Sequence, residues 1–358
     1  MKLGITGKTK AGKTTLFNTI TGQNADVSLY DTKNEPNVGV VQVPDERIDE
    51  LSRIYKPKKS IYATVEFLDF PPIIEDENNH ELLSPTSMAL LKTTDALAII
   101  LRNFSNPILN ETHGKIDPCR DLSDILMEFI YSDIILAEKR LEKIELNFKR
   151  GVKTAAAIIE EKTLKKCLDS LHAEIPLRDM CLPEDELKAI KGFQFLSLKP
   201  TMIILNSDEN NFGKNQDILN IISKTAPVYE FAGKFEFEIS NLTAHEAQAF
   251  MEDIGISESA VTRIIKNSYD LLGYLSFFTV GDDEVRAWTI QKGDNAVTAA
   301  GKIHSDLARG FIRAETFKYD DIVTHKSEKV IREKGLFRLE GKTYIVQDGD
   351  IIFVRFNV

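Results

Sequence analysis

Positive charge is in short supply in this chain of 358 residues: 45 Lys and Arg stand against 55 Asp and Glu, a formal net charge of −10. That balance excludes a protein that coats nucleic acid by charge alone, although it leaves room for a local basic face, and no DNA partner is expected. Cysteine is scarcer still. Cys119, Cys167 and Cys181 lie far apart and form no CxxC pair, so neither a disulfide framework nor a zinc site is indicated. Long apolar runs are missing as well. Nothing is long and apolar enough to span a bilayer, and the N-terminus lacks the apolar stretch of a signal peptide. The expected setting is reducing and aqueous, the cytoplasm, away from membranes.

Apolar residues themselves are plentiful. At 42% of the chain they suffice for two or three domains with cores of their own. Lys2–Thr6 reads as a short strand and Gly12–Thr21 as the helix that follows it. Val40–Val43 and Thr64–Leu68 are runs of strand length, while Ala96–Leu101 (ALAIIL) and Thr201–Leu205 (TMIIL) are nearly continuous apolar runs, as in strands buried on both faces. Strands alternating with helices predict an α/β domain with a mainly parallel sheet.

A long charged stretch, about 121–191, interrupts that alternation. Ile134, Ala137, Leu141, Ile144 and Phe148 keep the spacing of a helical seam, Gly151 can break the helix, and Leu164, Leu168, Leu171 and Ile175 form a second seam running to Pro176. The pattern predicts an antiparallel helical hairpin, either a solvated structural arm or a docking lever. From about Ser276 the character changes to short strand-like runs, Phe277–Val280, Arg286–Ile290, Lys342–Val346 and Ile351–Phe356, separated by Gly-Asp turns, with one helix over Ala296–Ala308. Residues 276–358 carry thirteen Lys/Arg and thirteen Asp/Glu, so the acidity lies elsewhere and this β-rich domain is the one able to approach RNA.

Gly7-Lys8-Thr9-Lys10-Ala11-Gly12-Lys13-Thr14 fits GxxxxGK[ST] between the first strand and the first helix. In that setting the loop is a phosphate cradle: backbone N–H groups wrap the phosphates and the helix N-terminus adds its positive end. Lys13 is expected to reach the β- and γ-phosphates and Thr14 to bind Mg²⁺ through its hydroxyl. Glu66-Phe67-Leu68-Asp69 ends a strand with an acid where switch NTPases hold Mg²⁺ through water, and Asn206-Ser207-Asp208-Glu209 follows a buried strand where they read the base. In order and spacing, the three segments suit a switch NTPase rather than a small-molecule kinase.

Further strings make the pattern specific. Glu35–Val41 (EPNVGVV), Val43-Pro44-Asp45 and Lys56–Lys59 (KPKK) resemble switch I and the following strand of the YchF (Obg-like ATPase) family, and Lys199–Glu209 resembles its NxxE base-reading element. Val285–Thr289, Gly310–Glu315 and Tyr344–Asp350 resemble its C-terminal TGS domain. The resemblance runs along nearly the whole chain. It implies a P-loop NTPase domain at 1–120 and 195–275, a helical coiled-coil insertion at 121–194, and a β-grasp-like TGS domain at 276–358. It further implies a nucleotide-hydrolysing switch that prefers ATP to GTP, uses Mg²⁺ and acts with the ribosome or its RNA. Gly7, Lys10, Ala11, Gly12, Lys13, Thr14 and Thr15 would hold the nucleotide together with Asn206, Asp208 and Glu209. Lys13 and Asp69 would serve catalysis, with Thr32 and His113 as further candidates, and Thr14, Asp69 and Thr32 would serve the metal.

The departures bear on chemistry. In NKxD guanine readers the Lys stem packs along the base and the Asp meets guanine N1–H and the 2-amino group. Ser207 lacks that stem and Glu209 is one methylene too long, which predicts weak guanine selectivity. Pro72 stands where the DxxG glycine gives an N–H to the γ-phosphate, and proline has none. Ile73 stands where Ras-like enzymes carry a water-orienting Gln. Thr32 lies three residues before Glu35, where the family threonine lies two before, and His113 lies two residues later than the family's histidine, with Glu111 in the matching place. Two functions follow: a slow ATPase or GTPase, or a nucleotide-stabilised ribosome- or RNA-binding adaptor with little turnover.

Overall fold

The computed structural model describes residues 2–23, 36–70, 85–113, 115–240 and 258–357, together with 242–243, 246–247, 249 and 251. The chain begins with β1 (Lys2–Thr6), α1 (Lys13–Thr21), β2 (Asn37–Gln42), α2 (Glu46–Tyr55), β3 (Lys59–Ile61), β4 (Thr64–Asp69), α3 (Pro85–Lys92) and β5 (Ala96–Asn103). Helices α4 (Pro107–His113), α5 (Pro118–Lys149), α6 (Ala155–His172) and α7 (Glu184–Ile190) lead to β6 (Thr201–Ser207), α8 (Gln216–Ile222), β7 (Val228–Phe231) and α9 (Gly233–Ser240). After α10 (Ala260–Leu271) come β8 (Tyr274–Thr279), β9 (Glu284–Gln291), α11 (Ala296–Ile303) and α12 (Ser305–Arg309). Then β10 (Phe311–Lys318), α13 (Tyr319–His325), α14 (Glu328–Glu333), β11 (Arg338–Glu340) and β12 (Asp350–Phe356) complete the chain.

These elements form two compact units, Met1–Gly39 with Glu66–Val261 and Val40–Val65 with Thr262–Val358. The partition differs from the three domains expected of the sequence. Residues 40–65 group with the C-terminal unit because β3 pairs in parallel with β9, Lys59 opposite Glu284 and Ile61 opposite Arg286. The helical hairpin, for its part, is not a separate unit.

The first sheet runs in the order β2-β4-β1-β5-β6-β7. The pairings β1–β4, β1–β5, β5–β6 and β6–β7 are all parallel. All of β6 and the first seven residues of β5 are buried, the two-sided burial that their apolar runs demand. Helix α5 shows why the hairpin is fused to this sheet. Its first half, Leu122, Ile125 and Phe129, packs into one core with Leu97, Ile99, Leu101, Ile203 and Leu205. Its second half, Ala137, Leu141 and Ile144, packs with Leu164, Cys167 and Leu171 of α6. One helix of 32 residues, about 48 Å at 1.5 Å per residue, therefore serves two cores.

The hairpin seam lies where the spacing puts it, except that Ile175 is exposed. Asp117 caps α5 by accepting from Arg120 N–H at 3.0 Å, and Pro118 occupies the first turn, where its missing N–H costs nothing, so the helix starts three residues before Asp121. Gly151 ends the turn after it at φ +82°. Asp133 sits where the two cores meet. It is fully buried, accepts from Leu196 N–H at 3.0 Å and Ser197 N–H at 2.8 Å, and burial pushes its carboxyl up to about 6 against those bonds.

In the second unit the order is β11-β10-β12-β8-β9-β3. Strands β8 and β9 form an antiparallel hairpin, β10 pairs antiparallel with β11 and β12, and β12 returns parallel to β8. Helix α11 covers one face through Ala296, Ala299 and Ala300 against Phe277, Ile290, Phe311 and Ala314. This is the C-terminal β domain expected of the sequence, with three corrections. Lys342–Val346 is not a strand: Ala296 N–H donates to Tyr344 O and Val346 N–H to Asp294 O, which ties that segment to the start of α11 instead. Strands β10 and β11 went unread: an irregularity between Phe311 and Arg313 breaks the alternation of β10, with Ile312 and Arg313 both exposed, and β11 is only three residues long. The single helix expected over Ala296–Ala308 is two, separated at His304, whose extended backbone (φ −161°, ψ 145°) lets its ring accept from Asp306 N–H.

Candidate nucleotide-binding site

Strand β1 is buried from Leu3 to Thr6 and delivers the chain to Gly7 against β5. A Cβ added to Gly7 would lie 2.4 Å from Ile100 O, and φ there is +153°. A Cβ on Gly12, at φ +103°, would lie 2.2 Å from Asn206 Nδ2. Only glycine allows the backbone to turn this close to its neighbours. Between them Ala11 N–H donates to Lys8 O at 3.3 Å, and Lys10 adopts the left-handed region at φ +59°. Helix α1 then starts at Lys13.

Lys13 is 6% exposed, and its ammonium donates to Gly7 O at 3.0 Å and Lys8 O at 3.1 Å. Neutral carbonyls thus hold the cation over the loop, and phosphate oxygens are stronger acceptors for it. Thr14 Oγ1 donates to Asp69 Oδ2 at 2.9 Å across 55 residues of sequence, and Asn37 Nδ2 lies 3.4 Å from the same oxygen. Asp69, at the end of β4, is buried. A hydroxyl and a carboxylate converging beside a glycine-lined cradle are hard oxygen donors of the kind Mg²⁺ takes, so these residues fit that ion.

The other end of the site is built on β6 and β7. Asn206 is buried; its Nδ2 donates to Ala11 O at 2.9 Å and its Oδ1 accepts from Gly233 N–H at 3.2 Å. One side chain therefore fixes the glycine-rich loop to the β7–α9 turn. Ser207 faces elsewhere, donating to Glu230 Oε1 at 2.7 Å. Glu230 also accepts from Gly213 N–H at 3.0 Å and Asn215 Nδ2 at 2.5 Å, which closes the loop after β6 on itself. Asp208 is spent on Asn211, accepting from its N–H at 3.1 Å and its Nδ2 at 3.2 Å, while Glu209 is exposed.

The structure brings Gly7, Ala11, Gly12, Lys13, Thr14, Asp69 and Asn206 into hydrogen-bonding or close-packing reach of one another. Thr15 also approaches the base end: a Cβ on Gly233 would lie 3.4 Å from its Cγ2. Thr32, Pro72 and Ile73 fall outside the described residues, as does the side chain of His113, whose backbone ends α4. Four residues in or beside the site escaped the sequence reading. Asn37 carried no signal beyond its place in EPNVG. Glu230 was detectable as a lone acid in the short apolar strand VYEF, and Asp121 and Asp124 only as acids three apart at a helix start.

A parallel sheet with a glycine-rich loop after its first strand, a buried lysine over that loop and a Thr–Asp pair beside it define a P-loop NTPase. A family model described as 50S ribosome-binding GTPase matches residues 2–139, and the YchF-GTPase_C model, described as a protein of unknown function (DUF933), matches 274–357. The ribosome-binding ATPase YchF of Bacillus subtilis is 38% identical over 363 residues, covering 99% of each chain, and that of Haemophilus ducreyi is 39% identical over 100% of this chain and 99% of its own. The solved structure of the Schizosaccharomyces pombe YchF GTPase superposes with a TM-score of 0.88 at 30% identity, covering 99% of this chain and 97% of that one. The chain belongs to the YchF family. No helix among the described residues is long and apolar enough to cross a membrane.

Proposed function

We propose that the chain is a Mg²⁺-dependent nucleotide-binding protein of the cytoplasm that slowly hydrolyses ATP or GTP as a switch acting with the ribosome or its RNA. The observation that carries this reading is the 2.9 Å bond between Thr14 and Asp69, which draws the two metal-side groups together beside Lys13. Lys13 leaves its two carbonyls for the β- and γ-phosphates, and the loop N–H groups bind the remaining oxygens. Thr14, and Asp69 through water, would hold Mg²⁺, which supplies charge neutralisation on the phosphates. Thr32 is the candidate for a further metal-side oxygen and His113 for orienting the attacking water. Asn206, with Asp208 and Glu209, borders the base. The relatives' names, ribosome-binding ATPase, support both the reaction and the partner.

A second reading rests on Pro72. With no N–H in the DxxG glycine's place, the protein would bind nucleotide as a structural ligand and serve as a ribosome- or RNA-binding adaptor. Phosphate release with Mg·ATP and Mg·GTP, with and without ribosomes, alongside fluorescent-nucleotide binding, separates the two. Turnover accelerated by ribosomes supports the switch. Tight binding without turnover supports the adaptor, and absence of binding overturns both.

A further inference from the structure

A loop that must attract phosphates sends one of its own cations elsewhere. Lys8 Nζ lies 3.0 Å from Asp121 Oδ1 and 2.7 Å from Asp124 Oδ2, with only 13% of its side chain exposed. The two carboxylates stand three residues apart, on one face of the first turns of α5. The main chain of the same residue takes part in the site, because Lys8 O accepts from the Lys13 ammonium at 3.1 Å and from Ala11 N–H at 3.3 Å. Burial by itself would lower the Lys8 pKa, but the hydrogen bonds to Asp124 and Asp121 outweigh it and the net shift is upward, so the residue is an ammonium throughout the physiological range.

We propose that Lys8 is a positioning residue, clamped by Asp121 and Asp124, that sets the loop's affinity for triphosphate and links phosphate binding to the start of α5. The inference rests on the nucleotide-binding reading above. Two carboxylates against one ammonium place surplus negative charge beside a phosphate site. Arg120 offsets part of it, its Nε 3.9 Å from Asp124 Oδ2. Arriving phosphates repel the carboxylates and attract Lys8, so nucleotide and helix compete for one cation. By linkage, whatever loosens the first turns of α5 changes nucleotide affinity, and nucleotide changes the protection of those turns by the same factor. Because α5 continues into the hairpin core, the clamp lies at the root of the helical arm.

The test uses the full chain and titrates fluorescent di- and triphosphate nucleosides against Asp121→Asn/Asp124→Asn, Lys8→Met and Lys8→Arg, with melting temperatures as the control for folding. The near-isosteric double Asn variant should bind triphosphate about 5-fold tighter, with a smaller gain for diphosphate because the repulsion scales with ligand charge. Lys8→Met should weaken triphosphate about 10-fold, and Lys8→Arg should restore most of it. Hydrogen exchange over 118–130 should respond to triphosphate in the wild type and not in Lys8→Met. An unchanged triphosphate-to-diphosphate ratio in the double Asn variant, with only the melting temperature moved, overturns the clamp and leaves the nucleotide site standing. A wild-type chain that binds no nucleotide overturns both.

Discussion

The two ends of the nucleotide site are built on opposite plans. At the phosphate end, the groups that would meet the ligand are parked on exchangeable partners: Lys13 on two carbonyls, Thr14 on Asp69. At the base end the side chains are committed to the protein itself: Asn206 to Ala11 and Gly233, Ser207 to Glu230, Asp208 to Asn211. On the proposed function the first end would read charge and would let go of its partners to do so. The second would act as a fixed frame around the base. Selectivity between bases is therefore expected to be modest while phosphate affinity is high, and that contrast can be tested by using Mg·tripolyphosphate as a ligand that touches the first end alone.

The largest effect is expected from Lys13→Ala, which should weaken triphosphate and tripolyphosphate alike by at least about 100-fold, near 2.7 kcal/mol, because a buried charge-assisted contact is lost. Isothermal titration checks it, and retained affinity would sink the parked-cation account. Gly12→Ala comes next and should erase the contrast. Its Cβ meets Asn206 Nδ2, and the amide can yield only by leaving Ala11 O. With the left-handed φ added, the loss is about 2 kcal/mol of stability, seen as a lower melting temperature and weaker binding of both ligands. Glu230→Ala should do the reverse and sharpen the contrast. Ser207, Gly213 N–H and Asn215 lose their acceptor, so nucleoside triphosphates should bind about 10-fold more weakly while tripolyphosphate binds unchanged. Equal losses for both ligands would mean that Glu230 supports the whole sheet edge rather than the base end.

How far the sequence showed this depends on whether a residue's role is local. The phosphate end was readable because its parts are contiguous or lie at strand ends: GxxxxGK[ST] demands its glycines, and Asp69 closes an apolar run. The parallel sheet was readable for the same reason, since ALAIIL and TMIIL have no polar face to turn outward. What stayed hidden depends on partners distant in sequence. Asp208 looks like a base reader by its place in NSDE, and only the fold shows that its carboxylate also bonds Asn211 and that the Ser207 hydroxyl bonds Glu230. Lys59–Ile61 shows nothing of its own that sends it to β9 rather than to the parallel sheet, and Lys342–Val346 has strand composition but spends its backbone on the start of α11.

The smallest effect expected is the most discriminating. Ser207→Lys with Glu209→Asp restores the residue types of a guanine reader and should move preference toward GTP. Glu230, however, already accepts from residue 207 at 2.7 Å, and a lysine there has a nearer carboxylate than any base. Its ammonium should pair with Glu230, as partly buried charges do, and its stem should then lie across β7 rather than along the base. The double variant is accordingly expected to shift the GTP-to-ATP affinity ratio only about 3-fold. The triple variant with Glu230→Gln should shift it about 10-fold or more, since the freed lysine can reach the base face and the shortened carboxylate at position 209 can bond guanine N1–H and its 2-amino group. Competitive titration of both nucleotides against one fluorescent probe measures the ratios. If the double variant alone gave the full shift, the base-end frame would be softer than its hydrogen bonds imply, and the contrast between the two ends would fall with it.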